Sequence, residues 1–138
     1  MDVALHINMI IAIANWQDSV SPVFDVSDRL CLIEVENGKE LRRENILLKD
    51  RDPFKRAKEM ANLGIELLIC GAISYVFETS LIGSGIRVAG FICGKLETVL
   101  GAFLRGQLAD SCFLMPGCFW RRQRHCFQHR RRGNFKRC

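Results

Sequence analysis

The stretches Leu67-Leu68-Ile69-Cys70-Gly71 and Val88-Ala89-Gly90-Phe91-Ile92-Cys93-Gly94 decide the fold of this chain. Each is a short apolar run that stops at Cys-Gly and is followed by a helical pattern, which predicts a buried strand with a thiol at its carboxyl end. Open α/β sheets bind ligands at that edge. Two thiols there favour a soft metal or a metal–sulfur species over a nucleotide. The alternative is that both cysteines only pack, since free cysteine is among the most buried residue types.

The flanking sequence predicts the other elements of an α/β domain. An apolar run over 9–14 predicts a strand covered on both faces, and the polar residues 15–18 predict a loop after it. Asn37-Gly38 predicts a tight hairpin between strands at 30–36 and 39–48. Helices are predicted at 52–64, where Asp52-Pro53 is a typical start, and at 74–82 and 96–104. The two Cys-Gly strands are predicted at 65–70 and 86–92.

This order of elements predicts one α/β domain, a five-stranded mixed sheet flanked by helices. The first, fourth and fifth strands are expected to run parallel, because right-handed crossovers connect them. Their carboxyl ends then share one edge of the sheet. The predicted cofactor-binding residues at that edge are Asn15, Trp16, Cys70, Gly71, Cys93 and Gly94.

Charge divides the chain into a mildly acidic body and a basic tail. Residues 119–138 contain seven arginines, one lysine and no acidic residue, whereas residues 1–118 contain 12 basic and 15 acidic residues. The 138 residues are enough for one domain, and 49% of them are hydrophobic. We therefore predict an extension at 1–8, a domain at 9–110 and a Cys/Arg-rich flexible tail at 111–138.

The cysteine content and the start of the chain indicate a cytoplasmic protein. There are seven cysteines, an odd number, and no segment resembling a secretory signal precedes them. The simplest expectation is reduced thiols in the cytoplasm. No apolar run is long enough to cross a membrane, so we expect no membrane contact.

Several short motifs stand together in a characteristic order. They are Ile11-Ala12-Ile13-Ala14, Val20-Ser21-Pro22-Val23-Phe24-Asp25, Ile69-Cys70-Gly71-Ala72-Ile73-Ser74, Gly85-Ile86, Cys93-Gly94, Val99-Leu100-Gly101-Ala102-Phe103-Leu104-Arg105-Gly106 and Met115-Pro116-Gly117-Cys118. Over about residues 9–118 they resemble the nitrogenase iron–molybdenum cofactor biosynthesis family. The resemblance implies a ribonuclease H-like fold and a small non-catalytic protein. Such a protein carries or stores a metal–sulfur cofactor or its precursor, and exchanges it with donor and acceptor proteins.

The resemblance also identifies a departure at the expected ligand. Many family members have His-Phe-Gly after the first strand, and that histidine is implicated in holding the cluster; here the matching residues are Val23-Phe24-Asp25. The predicted metal ligands are therefore Cys70 and Cys93, with Cys118 folding back as a third. A glycine after each of the first two would let a bulky ligand approach the backbone. The expected cargo is a metal–sulfur cluster containing molybdenum, iron or copper.

The basic tail supports a different function. Phe119 and Trp120 lie next to arginines, a composition that can bind nucleic acid weakly. The corresponding alternative function is a regulatory or scaffold protein whose tail binds nucleic acid or an acidic partner.

A zinc site in the tail is a less favoured alternative, because the spacing of its candidate ligands fits no standard pattern. Those ligands are Cys118, His125, Cys126, His129 and Cys138. Cys31 and Cys112 are predicted to be structural.

A ribonuclease H-like nuclease is the least favoured alternative. That chemistry needs several carboxylates at the centre of the sheet to hold two divalent metal ions. The first strand has no acidic residue, and the fourth has only Glu66, at its opposite end. We therefore expect no enzymatic activity.

Overall fold

The structure is a computed structural model that describes residues 8–106. It contains six strands and three α-helices. They are β1 (Asn8–Trp16), β2 (Ser19–Val20), β3 (Arg29–Glu36), β4 (Lys39–Leu47), α1 (Pro53–Asn62), β5 (Leu67–Ile69), α2 (Tyr75–Gly83), β6 (Arg87–Ala89) and α3 (Leu96–Leu104), with a 3-10 turn at Phe24–Val26. The predicted extension and tail lie outside the described residues, except that Asn8 belongs to β1.

One mixed sheet forms the centre of the fold. Its strand order is β4-β3-β1-β5-β6, and β2 pairs with β1. β1, β5 and β6 run parallel, whereas β3 and β4 are antiparallel to their neighbours. The α/β class and the shared carboxyl edge of the three parallel strands are therefore confirmed.

The predicted count of five strands is wrong by one, because the residues after β1 do not form an open loop. Asn15 and Trp16 continue β1 and pair with Val20 and Ser19 of β2. Gln17 and Asp18 make the turn between them, with φ of 49° and 66°. The sequence did not predict this short hairpin, because its residues are mostly polar and strand prediction relies on apolar periodicity.

The strands that precede the cysteines are shorter than predicted. Each contains three residues, Leu67–Ile69 in β5 and Arg87–Ala89 in β6. Hydrogen bonds continue past the strand ends, with Ile92 N donating to Cys70 O at 3.0 Å. The regular pairing stops because Phe91 has a φ of 61°, a left-handed conformation that turns β6 out of its strand geometry.

Local signals placed the hairpin and the helices correctly. Asn37 and Gly38 both have positive φ, 53° and 80°, as the hairpin turn requires. The Asp52 side chain accepts a hydrogen bond from Lys55 N and begins α1. Ser74 begins α2 in the same way, since its side chain accepts from Phe77 N.

The helices cover the two faces of the sheet and bury a core on each side. Side chains of β1 alternate between the faces, so that Ile11 and Ile13 join the cluster under α3. Ala12 and Ala14 join the cluster under α1 and α2. Among residues 8–106, no helix is long and apolar enough to span a bilayer.

A buried arginine joins α1 to the segment before β3. Arg56 is 1% exposed, and its guanidinium donates to three backbone carbonyls: Asp50 O at 2.9 Å, Ser27 O at 2.7 Å and Phe24 O at 3.2 Å. It also lies over the rings of Phe24 and Phe77, 5.2 and 5.6 Å from their centroids. Burial lowers the pKa of Arg56 below its ordinary value, although an arginine remains protonated.

We expect Arg56→Met to lower the free energy of unfolding by about 3 kcal/mol, because buried carbonyls would lose their donor. Lys58→Met is the matched control on the exposed face of α1 and should change it by about 0.5 kcal/mol or less. Urea titration followed by circular dichroism measures both. Equal stability of the two variants would show that the buried guanidinium does not hold this segment.

Candidate functional site

The carboxyl edge of the parallel strands is covered by the chain itself. From β2 onward, the backbone crosses this edge and hydrogen-bonds to the residues that follow β5 and β6. Val20 N donates to Gly94 O at 2.9 Å. Ala72 N donates to Pro22 O, and Phe24 N donates to Ala72 O, both at 2.8 Å. The edge predicted to be an open ligand site is therefore occupied by residues 19–24, which we call the covering segment.

Gly71 is required by the covering segment. A Cβ atom at this position would lie 2.4 Å from Ser21 O and 2.5 Å from Pro22 O, far inside normal contact. The close approach that we assigned to a ligand is thus made here by the protein's own backbone. A second contact follows at once, since Ser74 N donates to Asp25 Oδ1 at 3.0 Å. The Ser-Pro-Val-Phe-Asp and Cys-Gly-Ala-Ile-Ser motifs therefore contact each other directly.

We expect Gly71→Ala to destabilise the protein by about 3 kcal/mol or more, because the added methyl group would push against both carbonyls and Pro22 O cannot move without losing its hydrogen bond from Ala72 N. Gly83→Ala is the matched control. It ends α2 with open space around its α-carbon, and alanine there should leave stability unchanged or raise it by about 1 kcal/mol. Thermal unfolding followed by circular dichroism distinguishes them, and a stable Gly71→Ala would contradict the close packing of the covering segment.

Cys70 is fully buried beneath the covering segment. Its residue exposure is 0%, and it packs in the cluster under α1 and α2. Burial raises the pKa of the Cys70 thiol far above its ordinary value, and the negative charges of Glu78 and Asp25 raise it further. The thiol is therefore protonated at neutral pH. Because the covering segment also keeps this residue out of contact with solvent, the present conformation does not offer Cys70 to a metal.

Cys93 is the accessible thiol of the pair. It is partly exposed and follows β6 after the left-handed turn at Phe91. Gly94 after it has a φ of 133°, a conformation that side chains rarely adopt. This glycine therefore serves the backbone turn, and its carbonyl accepts the hydrogen bond from β2. Cys31, by contrast, is 2% exposed in the core under α3, as predicted for a structural cysteine.

Native labelling with iodoacetamide should therefore modify Cys93 but neither Cys70 nor Cys31. The buried thiols lack both solvent access and thiolate character, and they should react only as the protein unfolds. Mass spectrometry of the proteolytic peptides reports each cysteine separately. Rapid labelling of Cys70 in folded protein would show that the covering segment opens readily.

Asn15 and Trp16 line a cleft beside the covering segment. The cleft has a volume of about 240 Å³. Its lining residues are Asn15, Trp16, Ser21, Pro22, Val23, Val26, Ser27, Asp28 and Arg29. Val23 stands where the family resemblance places a histidine, so that position borders the cleft. Cys70 and Cys93 do not line it. The structure therefore joins Asn15 to Trp16 but separates both from the thiols.

Sequence reasoning missed most of the cleft. Ser27 and Asp28 directly precede β3, and Arg29 is its first residue; none of the three belongs to a recognised motif. Only their position could have indicated the cleft, since the start of a strand that pairs antiparallel with β1 lies at the edge where β1 ends. Ser21 and Pro22 belonged to a recognised motif, but their place in the cleft depends on the fold of the covering segment.

The described residues contain no ready-made metal site. Within residues 8–106, no group of three or more His, Cys, Asp and Glu side chains is placed to share an ion. Cys118, the predicted third thiolate, and the cysteines and histidines of the tail lie outside the described residues. The role of Cys118 as a ligand stays a prediction.

Several solved structures have a similar fold at low sequence identity. The protein PH0822 has a TM-score of 0.66 and 20% identity, with 72% of this chain and 93% of that chain covered. A candidate dinitrogenase from Methanocaldococcus jannaschii has a TM-score of 0.61 and 17% identity, covering 73% and 92%. A candidate NifB protein from Thermotoga has a TM-score of 0.55 and 20% identity, covering 72% and 89%. At these identities the likeness establishes the fold. No protein-family model and no curated protein matches the sequence.

Proposed function

We propose that this protein is a non-catalytic, nitrogenase-related binding protein of the cytoplasm that carries or stores a metal–sulfur cluster or its precursor. The observation that carries the proposal is the partly exposed Cys93 at the edge of the mixed sheet where its three parallel strands end. Two proteins of similar fold, the candidate dinitrogenase and the candidate NifB protein, have names connected with nitrogenase. The motif resemblance supports the same function independently, and with it the ribonuclease H-like assignment.

The cargo is held through thiolate–metal bonds in this proposal. Cys93 loses its proton as the bond to iron, molybdenum or copper forms, and Cys118 supplies a second thiolate from outside the described residues. Cys70 joins them only when the covering segment moves, because its thiol is buried and protonated otherwise. A site with few fixed ligands suits a carrier, since donor and acceptor proteins must be able to exchange the cargo.

The distribution of carboxylates supports a binding role over nuclease chemistry. β1 and β5 contain no acidic residue, and Glu66 is exposed at the amino end of β5, away from the edge that carries Cys93. Two-metal hydrolysis needs carboxylates that face one another across a site. The described part of the chain offers no such group.

The test is metal uptake by full-length apoprotein under anaerobic conditions. Tetrathiomolybdate, ferrous iron with sulfide, and cuprous ion are the probes, and metal and sulfide per chain are measured together with the visible spectrum. We expect Cys93→Ser to weaken uptake at least about tenfold, because it removes the accessible sulfur ligand. Cys31→Ser is the matched control, since Cys31 is buried in the core under α3 and is not accessible, and it should bind as the wild type does.

Two results would overturn the proposal. Unchanged uptake by Cys93→Ser would remove this thiol from the site, and no stoichiometric uptake of any probe by the wild type would remove the carrier function. Cys70→Ser separates two versions of the site. If Cys70→Ser retains metal uptake, the cargo is held without Cys70 while the covering segment stays in place. If Cys70→Ser is folded but loses uptake, Cys70 is a ligand and the covering segment must open to expose it.

A further inference from the structure

The two strands that lead to the cysteines continue differently past their last paired residues. In β5 the side chains alternate without interruption: Ile69 packs in the cluster under α3, and Cys70 packs in the cluster under α1 and α2. β6 begins with the same alternation, since Val88 packs against the cluster under α1 and α2 and Ala89 lies in the cluster under α3. If β6 continued as a regular strand, Cys93 would face the cluster under α3, because alternate residues of a strand face the same side.

The hydrogen bonds show that the continuation of β6 contains one extra residue. Arg87 N donates to Glu66 O at 3.0 Å. Because parallel pairing is evenly spaced, a regular ladder would repeat this bond four residues later, from Phe91 N to Cys70 O. Cys70 O instead accepts from Ile92 N, at 3.0 Å. Phe91 is therefore the extra residue of a β-bulge, and its φ of 61° is the left-handed conformation typical of one class of bulge.

The bulge reverses the alternation of the residues that follow it. Ile92, which is 1% exposed, packs in the cluster under α3 where a regular strand would place residue 91. The Phe91 ring packs against the cluster under α1 and α2. A shift of one residue moves each later side chain to the other face. Cys93 therefore turns away from the cluster under α3 and is partly exposed, whereas Cys70 follows an uninterrupted strand and is buried.

We propose that Phe91 is the positioning residue of the metal site, since its left-handed bulge turns Cys93 out of the core to where a metal can reach the thiol. Side chains other than those of a few polar residues rarely adopt this conformation, so Phe91 needs an anchor to stay in it. The packing of its ring supplies that anchor. The role of Cys93 as a metal ligand rests on the proposed function, whereas the effect of Phe91 on the exposure of Cys93 does not.

Substitutions at Phe91 separate the backbone conformation from the ring, with alkylation of Cys93 by iodoacetamide as the readout. Phe91→Gly and Phe91→Asn lose the ring but tolerate the left-handed conformation. We expect Cys93 in both to react within about twofold of the wild-type rate. Phe91→Val also loses the ring, and its branched Cβ makes this conformation highly unfavourable. It should restore the regular alternation, bury Cys93 and slow its alkylation at least about tenfold.

Phe91→Ala provides a matched comparison, because it differs from Phe91→Gly by one methyl group and tolerates the left-handed conformation poorly. Cys93 should react more slowly in Phe91→Ala than in Phe91→Gly. Circular dichroism checks that each variant is folded, and mass spectrometry of the peptides checks that Cys70 and Cys31 stay unlabelled.

The order of the alkylation rates distinguishes a positioning role from a purely structural one. If the Phe91 ring did no more than fill space, all the variants would change alike, because each of them lacks the ring. Slow alkylation of Phe91→Gly, or alkylation of folded Phe91→Val at the wild-type rate or faster, would overturn the proposal. If Phe91→Val does not fold, equal rates in Phe91→Gly and Phe91→Ala would overturn it.

Metal uptake by the full-length apoprotein is the second readout, with tetrathiomolybdate, ferrous iron with sulfide, and cuprous ion as the probes. Phe91→Gly should retain uptake, and Phe91→Val should weaken it at least about tenfold, as Cys93→Ser does. Equal uptake by Phe91→Gly and Phe91→Val would remove Phe91 from the metal site. No uptake by the wild type would overturn the carrier function alone, since the order of the alkylation rates is measured without metal.

Discussion

The contact between Gly71 and the backbone of Ser21 and Pro22 is the constraint on which the rest of the site depends. No side chain separates the two segments, so the covering segment lies directly on the end of β5. Phe24 is then held against Ala72 by a backbone hydrogen bond, and Arg56 of α1 bonds to the carbonyls of Phe24 and Ser27. The close contact of Gly71 with the covering segment therefore closes the carboxyl edge of the sheet and fixes the position of one wall of the cleft.

The covering segment makes two similar cysteines chemically different. Cys70 and Cys93 occupy equivalent places in the sequence, each followed by glycine after a short parallel strand. Cys70 lies beneath the covering segment, where burial raises its pKa and keeps the thiol protonated. Cys93 follows a left-handed turn that leaves it partly exposed. The carboxyl edge of the sheet therefore has the accessible Cys93 on one side and the cleft lined by Trp16 on the other.

Much of the fold could be predicted because its signals are local. Asn37-Gly38 specifies a hairpin turn by its backbone conformation, and Asp52 and Ser74 specify helix starts by capping. Apolar runs identified the parallel strands. β2 was not predicted because a strand of two residues has no periodicity; these residues form a strand only by pairing with the end of β1. The cleft was not predicted because it too depends on strand pairing. Asp28 and Arg29 reach the cleft only because β3 pairs with β1.

The sequence by itself determined the α/β class, the parallel arrangement of the three central strands and the presence of both cysteines at one edge. Each of these follows from residue periodicity, capping and the handedness of crossovers. Only the tertiary structure decided which cysteine is accessible and where Asn15 and Trp16 lie. Accessibility depends on which distant segment packs over a residue, and neither Cys70 nor Asn15 carries that information in its neighbours along the chain. The covering segment supplies it, because it buries one thiol and forms part of the wall of the cleft.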